Sequence, residues 1–298
     1  MNRRLFLVSA AVFAAMLGGS AGAQAAEPMK VSASFSILGD MVKQVGGDRA
    51  EVFTFVGPNG DAHVYEPTPA DAKELTESKI LFINGLGLEG WMTRLEKSSG
   101  FKGTVVTASK GVAPRKMVED EKTITDPHAW QSLANGKVYV ANIRDALIAA
   151  DPDGKATYEA NAQKLLDGIA EMETTVKAAI AKLPPERRKI ITTHDAFGYF
   201  AAAYGLEVIA PEGVSTESEA SAKDVAKIIT QIKKEKIPAV FLENVTDSRL
   251  LDQIAKETGA KIGGTLFSDA LSPPDGPAGT YLDMFRNNIE TMSEALSS

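Results

Sequence analysis

One stripe of apolar residues restricts the fold more than anything else in the chain. From Tyr158 onward, Ala162, Leu165, Ile169, Met172, Val176, Ala179 and Leu183 return at steps of three and four, the spacing that lines one face of a single helix. About 30 residues at ~1.5 Å each predict a rod of roughly 45 Å, longer than one small lobe. Pro184 and Pro185 stop it, since proline cannot continue a helix. A surface helix has no need of such length, whereas a strut lying along two lobes does. On either side, strand-like and helix-like segments alternate. "KVSASFS", "AEVFTFVG", "KILFING" and "GTVVTAS" read as strands before the stripe, and "RKIITTH", "LEVIAP", "PAVFLEN" and "AKIGGTLFSD" after it. Between them lie helix-like runs such as "ILGDMVKQVGG", closed by Gly46 and Gly47, and "TPADAKELTES", with Thr68 as N-cap and Pro69 at the first helical position. Ser221 caps another. The alternation breaks near residue 153. Strands and helices in alternation imply parallel-type sheets covered on both faces. The expected fold is therefore α/β: two α/β lobes joined by one long backbone helix, with boundaries at 26–150, 151–183 and 184–298. Residues 110–127 read as a polar loop.

The first 25 residues do not belong to this pattern. Arg3 and Arg4 precede "LFLVSAAVFAAML", and "AGAQAA" follows. That is the charged, apolar, small-residue order of a secretory signal peptide, with cleavage expected after Ala25. The apolar run is too short to span a bilayer with margin. The chain has no cysteine, which excludes disulfides, thiolate metal sites and a lipid-modified cysteine anchor. The expected location is the periplasm, free of any anchor, and the expected state a monomer. Loss of the signal removes two arginines and no acid, so a net charge of −7 becomes −9. With that charge and no basic stripe, nucleic acid is a poor partner.

The chain holds only three histidines, His63, His128 and His194. Each stands at or just beyond a strand end or in a Pro/Gly/Asp loop, the side of an open α/β sheet where ligands bind. His63 lies in "GPNGDAHVYEPTPAD", His128 in "TDPHAW", and His194 directly after "KIITT". Asp269 follows "KIGGTLF" in the same way. His63 and His128 fall in the first lobe, His194 and Asp269 in the second, so the four converge on the cleft between them. A lone loop histidine is ordinarily a solvated or hydrogen-bonded residue; three in equivalent positions point instead to a shared ligand. Three imidazoles and one carboxylate make a four-coordinate set that suits Zn2+. Asp61, Asp126, Asp195 and Glu243 are nearby strand-end acids. Asp61 and Asp126 are placed to accept the second ring N–H of a histidine and fix its tautomer, though strand-end acids also serve as helix caps.

Taken together, "GPNGDAHVYEPTPAD", "DPHAW", "THDAFGYFAAAYGL" and "SDALSPPDGPAGTYLDMFRNN" resemble the zinc/manganese solute-binding receptors of ABC importers (cluster A-I). The resemblance covers essentially the whole mature chain, with the motifs in the family's order. It implies two α/β lobes bridged by one long helix, a metal site in the inter-lobe cleft, and His63, His128, His194 and Asp269 as the four metal ligands. It also implies an inner-membrane ABC permease with its ATPase as partners, and a metallochaperone as a further partner to test. Three departures stand out. No histidine precedes His128 in the 110–127 loop, where many zinc members are His-rich, so a metal-scavenging role there is not expected. "HAWQSLANG" lacks a proline often found after the motif, and Ala220 stands where proline is frequent.

The donor set bears on the choice of cargo. Manganese-handling members often carry glutamate where this chain has His194; hard Mn2+ prefers oxygen donors, while imidazole suits zinc. Zn2+ is the expected cargo and Mn2+ the alternative. Two other functions share these ligands: a periplasmic metal buffer, and a zinc hydrolase with water in an open fourth position. Asp269 discriminates between binder and hydrolase, since a ligating Asp269 leaves no open position. The sequence contains neither a nucleophile elbow nor an HExxH helix, so no enzyme activity is expected.

Overall fold

The computed structural model describes residues 27–297, apart from 120–121, 214, 217–219 and 238. The signal sequence expected over residues 1–25 lies outside the described residues. In the first lobe, β1 (Met29–Phe35), β2 (Ala50–Val56), β3 (Ile80–Ile83) and β4 (Thr104–Thr107) form a parallel sheet in the order β2-β1-β3-β4. Their crossovers carry α1 (Ser36–Gly46), α2 (Pro69–Glu77) and α3 (Met92–Ser99). Gly47, at φ 54°, closes α1 in a conformation that few side chains tolerate. Thr68 caps α2 as expected: its hydroxyl accepts from the Asp71 N–H while the Asp71 carboxylate accepts from the Thr68 N–H, a reciprocal capping box.

The stretch read as a polar loop contains structure instead. β5 (Lys116–Glu119) and β6 (Lys122–Thr125) pair antiparallel as a short hairpin. Four-residue strands joined through "EDEK" carry no glycine or proline turn signal, so the pattern had nothing to reveal them. The alternation breaks where expected, near residue 153. α4 (Leu133–Ala150) buries Leu133, Tyr139, Val140, Ile143 and Leu147, and it runs almost directly into the long helix α5 (Lys155–Ala181). Two helices in succession, with no strand between, mark the passage from one lobe to the other.

α5 has 27 residues, about 40 Å of helix. Its buried face is the stripe read from the sequence, with Tyr158, Ala162, Leu165, Ile169, Met172 and Val176 inside; at the end Ile180 is buried rather than Ala179. It packs on α1 and α4 on one side and on α6 (Gly198–Tyr204) and α9 (Tyr281–Ser297) on the other. The second lobe's sheet is parallel in the order β10-β9-β7-β8, built from β7 (Lys189–Ile191), β8 (Glu207–Ile209), β9 (Ala239–Glu243) and β10 (Lys261–Leu266). α7 (Ala222–Glu235), capped by Ser221, and α8 (Arg249–Thr258) cover its outer face. One continuous apolar core runs from Val31 and Phe35 through Tyr158 and Ile169 to Phe241, Leu266 and Met284. A smaller cluster, including Ile228, Ile232 and Leu251, lies beneath α7 and α8. No helix among the described residues is long and apolar enough to cross a membrane.

Candidate metal centre

His63 sits in the turn after β2, and that turn is pinned from several sides. Asp61 Oδ1 accepts from the His63 N–H at 2.8 Å, and Asp61 Oδ2 accepts from the Thr216 hydroxyl of the second lobe at 2.6 Å. The indole of Trp91 donates to the Ala62 carbonyl at 2.8 Å and meets Tyr65 edge-to-face with 4.9 Å between ring centroids. Tyr65 in turn donates to Asp71 of the α2 cap. The loop is therefore tied to the start of α2 and to α3's leading residue. Beside it opens a groove of about 910 Å3, lined by His63, Val64, Leu86, Trp91, Ile124 and Pro127 among others.

His128 follows β6 and is completely buried. The Asp126 Oδ1 atom accepts from both its backbone N–H (3.0 Å) and its ring Nδ1 (2.9 Å), which turns Nε2 toward the cleft. Asn84 holds the adjoining peptide by donating to the Pro127 carbonyl, and the Tyr139 hydroxyl donates to Asn84 Oδ1. In the second lobe, His194 stands three residues past β7. Glu243, at the end of β9, accepts from the Thr193 and His194 N–H groups through Oε1. Its Oε2 lies 2.6 Å from His194 Nδ1, close enough for a strong charge interaction but outside hydrogen-bond angles. Asp269 stands three residues past β10, and the neighbouring Ser268 carbonyl accepts from Trp130 Nε1 and Gln131 Nε2 of the first lobe. His128 and Asp269 are thus brought together by hydrogen bonds that cross between the lobes.

The four side chains expected from the sequence do meet. One ligand atom from each of His63, His128, His194 and Asp269 lies within 4.8 Å of the others. His63 Nε2 is 3.2 Å from His128 Nε2 and 3.1 Å from Asp269 Oδ2; His194 Nε2 is also 3.1 Å from Asp269 Oδ2, and His128 Nε2 is 3.6 Å from Oδ1. A tetrahedron with bonds of 2.0–2.1 Å has edges of about 3.3–3.4 Å, so the spacing fits a small divalent ion. Asp269 Oδ1 is buried and makes no hydrogen bond among the described residues, an arrangement a bound cation would satisfy.

The electrostatics are those of a site built around positive charge. Burial works against a charged His128, yet the carboxylates of Asp269 and Asp126 outweigh it and lift the ring to about 9. Burial likewise opposes charge on His194, and Glu243 and Asp269 overcome it, raising the ring well above its usual value. Asp269 is held well below the carboxylate range: burial pulls the other way, but His128 and His194 prevail. In the metal-free protein, protons on His128 and His194 would balance the buried carboxylate. Of the neighbouring acids, Asp126 and Glu243 support histidine rings, whereas Asp61 binds the His63 backbone N–H and the Thr216 hydroxyl. Asp195 is outside the donor group, its own N–H spent on the Gly213 carbonyl. Trp91, Asn84 and Arg115, which shape the ligand loops, carry no signal in the sequence that distinguishes them from ordinary core or surface residues.

The family description "Zinc-uptake complex component A periplasmic" (ZnuA) matches residues 31–295. Among similar proteins is the manganese-binding lipoprotein MntA of Halalkalibacterium halodurans, 33% identical over 273 residues, covering 91% of this chain and 89% of that protein. The iron-binding protein YfeA of Yersinia pestis is 32% identical over 288 residues, covering 96% and 92%. Among solved structures, the periplasmic zinc binding protein TroA from Treponema pallidum superposes with a TM-score of 0.86 at 30% identity, covering 90% of this chain and 99% of that one. A Mn-bound periplasmic metal binding protein from Candidatus Liberibacter asiaticus gives 0.82 at 34% identity with the same coverage.

Proposed function

The chain belongs to the ZnuA family of extracytoplasmic metal-binding receptors of ABC importers, and on that premise we propose that its cargo is Zn2+, held by His63, His128, His194 and Asp269. The observation that carries this reading is the donor set. Four contacts among the three imidazole nitrogens and the carboxylate lie at 3.1–3.6 Å, and one ligand atom from each residue lies within 4.8 Å of the others, a grouping suited to four-coordinate zinc. Family members are substrate-binding proteins rather than enzymes, and Asp269 stands within the donor group instead of back from it, which supports a closed binding site over a hydrolytic one.

Manganese is the second reading, favoured by one specific feature. Both oxygens of Asp269 face histidines, Oδ2 toward His63 and His194 and Oδ1 toward His128. A chelating carboxylate adds a fifth donor and more oxygen character, which suits Mn2+, and MntA is by name a manganese binder. Competition titration of the metal-free protein decides between them. Zn2+ is expected to displace equimolar Mn2+, and retention of Mn2+ against Zn2+ overturns the choice. His194→Ala should abolish tight binding of either ion.

Delivery would run to a cognate permease and its ATPase, with the chain acting as a monomer and a metallochaperone as an optional donor. Several relatives are named lipoproteins; this sequence has no cysteine to carry a thioether-linked lipid, and we propose that the mature protein diffuses freely in the periplasm. The expected units 26–150, 151–183 and 184–298 would then be two jaws and the strut between them, closing locally about the ion rather than swinging wide.

A further inference from the structure

Asp126 is shared between two partners. While Oδ1 serves the backbone and ring of His128, Oδ2 accepts from Arg115 Nη1 at 3.1 Å. The carboxylate has no exposed surface, and the Arg115 side chain is 35% exposed. Arg115 and Asp126 flank the β5–β6 hairpin, and the Asp126 N–H donates to the Arg115 carbonyl at 3.0 Å to close its base. The second lobe joins at this point. The Tyr199 hydroxyl of α6 accepts from the Arg115 N–H at 2.8 Å and donates to the Asp126 carbonyl at 3.2 Å. The guanidinium lies against the bare backbone of Gly198, where any Cβ would collide with Arg115 Nη1 and with Asp126 Oδ2.

We propose that Arg115 is a positioning residue for the metal site. It fixes the plane of the Asp126 carboxylate, which in turn aims His128 Nε2 at the other three donors, and Tyr199 makes that grip depend on contact between the lobes. The inference rests on the reading of His128 as a metal ligand. A carboxylate turns about a broad, two-fold terminal torsion, so a single partner on one oxygen leaves its plane free. A second partner on the other oxygen removes that freedom, and the flat, preorganised guanidinium is suited to do so. Partners one shell beyond a ligating histidine commonly influence metal affinity by 10–100-fold. Here the influence passes through Asp126, whose Oδ2 accepts from Arg115 while its Oδ1 holds His128.

A double-mutant cycle on the full-length mature chain tests this, with Zn2+ affinity measured by chelator competition. Arg115→Gln should weaken binding by about 10-fold, and Asp126→Asn by 10–100-fold. If Arg115 acts through Asp126, the double variant should bind no more weakly than Asp126→Asn alone. Should Arg115→Gln not fold, Tyr199→Phe takes its place in the cycle and should show the same non-additivity at smaller amplitude. Additive losses, or an Arg115→Gln affinity within two-fold of the parent, overturn the proposal. A parent protein that binds no Zn2+ and no Mn2+ would instead overturn the metal-ligand reading, and this inference with it.

Discussion

Metal capture by this protein should be a proton-exchange reaction well into the alkaline range. His128 is lifted to about 9 by Asp269 and Asp126, so at pH 7 roughly 99% of the rings carry a proton on a nitrogen that the metal needs. Displacing it at pH 7 opposes binding by about 2.7 kcal/mol, roughly 100-fold in apparent Kd relative to the neutral ring. His194 is raised in the same direction, and Asp269 stays ionised throughout. The apparent affinity should therefore rise about 10-fold per pH unit from His128 alone between pH 6.5 and about 9, and more steeply where His194 also gives up a proton. Titration calorimetry at pH 7.5 in two buffers of different ionisation enthalpy measures the exchange directly. The observed enthalpies should differ by at least about one proton's worth of buffer ionisation. An enthalpy independent of buffer, or an affinity flat from pH 7 to pH 9, would refute the reasoning. An ordinary exposed histidine would exchange its proton near 6.5, so the position of the midpoint reads out the buried carboxylates.

Stability of the metal-free protein should run the opposite way. A ring whose folded value is raised contributes stability that is complete below its unfolded value of about 6.5 and is lost as pH rises through about 9; thermal melts without metal should fall over that window, and melts with saturating Zn2+ should not. Glu243→Gln should weaken metal binding by 10–100-fold, because it strips the charge beside His194 Nδ1; unchanged affinity would show that the second lobe's histidine needs no carboxylate. Ile169→Ala, at the buried centre of α5, should destabilise the fold by about 2–5 kcal/mol while leaving the pH dependence of metal binding intact. Denaturant melts and titrations on the same variant check both halves.

Much of this molecule was legible because its signals are local and repeated. The α5 stripe needed only the spacing of Tyr158, Ala162, Leu165 and their successors, and prolines 184 and 185 marked its end. The four candidate ligands were legible for a different reason: histidine is scarce here, His128, His194 and Asp269 each lie three residues past a strand, and His63 lies in the turn after β2. What escaped depends on pairing between distant residues. The β5–β6 strands are too short to declare a period. α4 carries a glycine near its start, where a Cβ at Gly136 would press on the Tyr281 hydroxyl of α9, a long-range contact that no local pattern shows. Arg115 is eleven residues from Asp126, and the hairpin that joins them has to form before either gains its meaning.

The apolar core that passes unbroken from the first sheet, under α5, into the second has a consequence for how the chain comes apart. The lobes look separable on a topology diagram, yet most of their buried apolar residues belong to a core they share. Heat or denaturant should therefore meet one cooperative unit, with only the region over Ile228, Ile232 and Leu251 able to loosen on its own. Cargo binding then stiffens the whole chain at once: at 100 times Kd the entire unit gains about 2.7 kcal/mol. A receptor so built would announce its loaded state far from the ion.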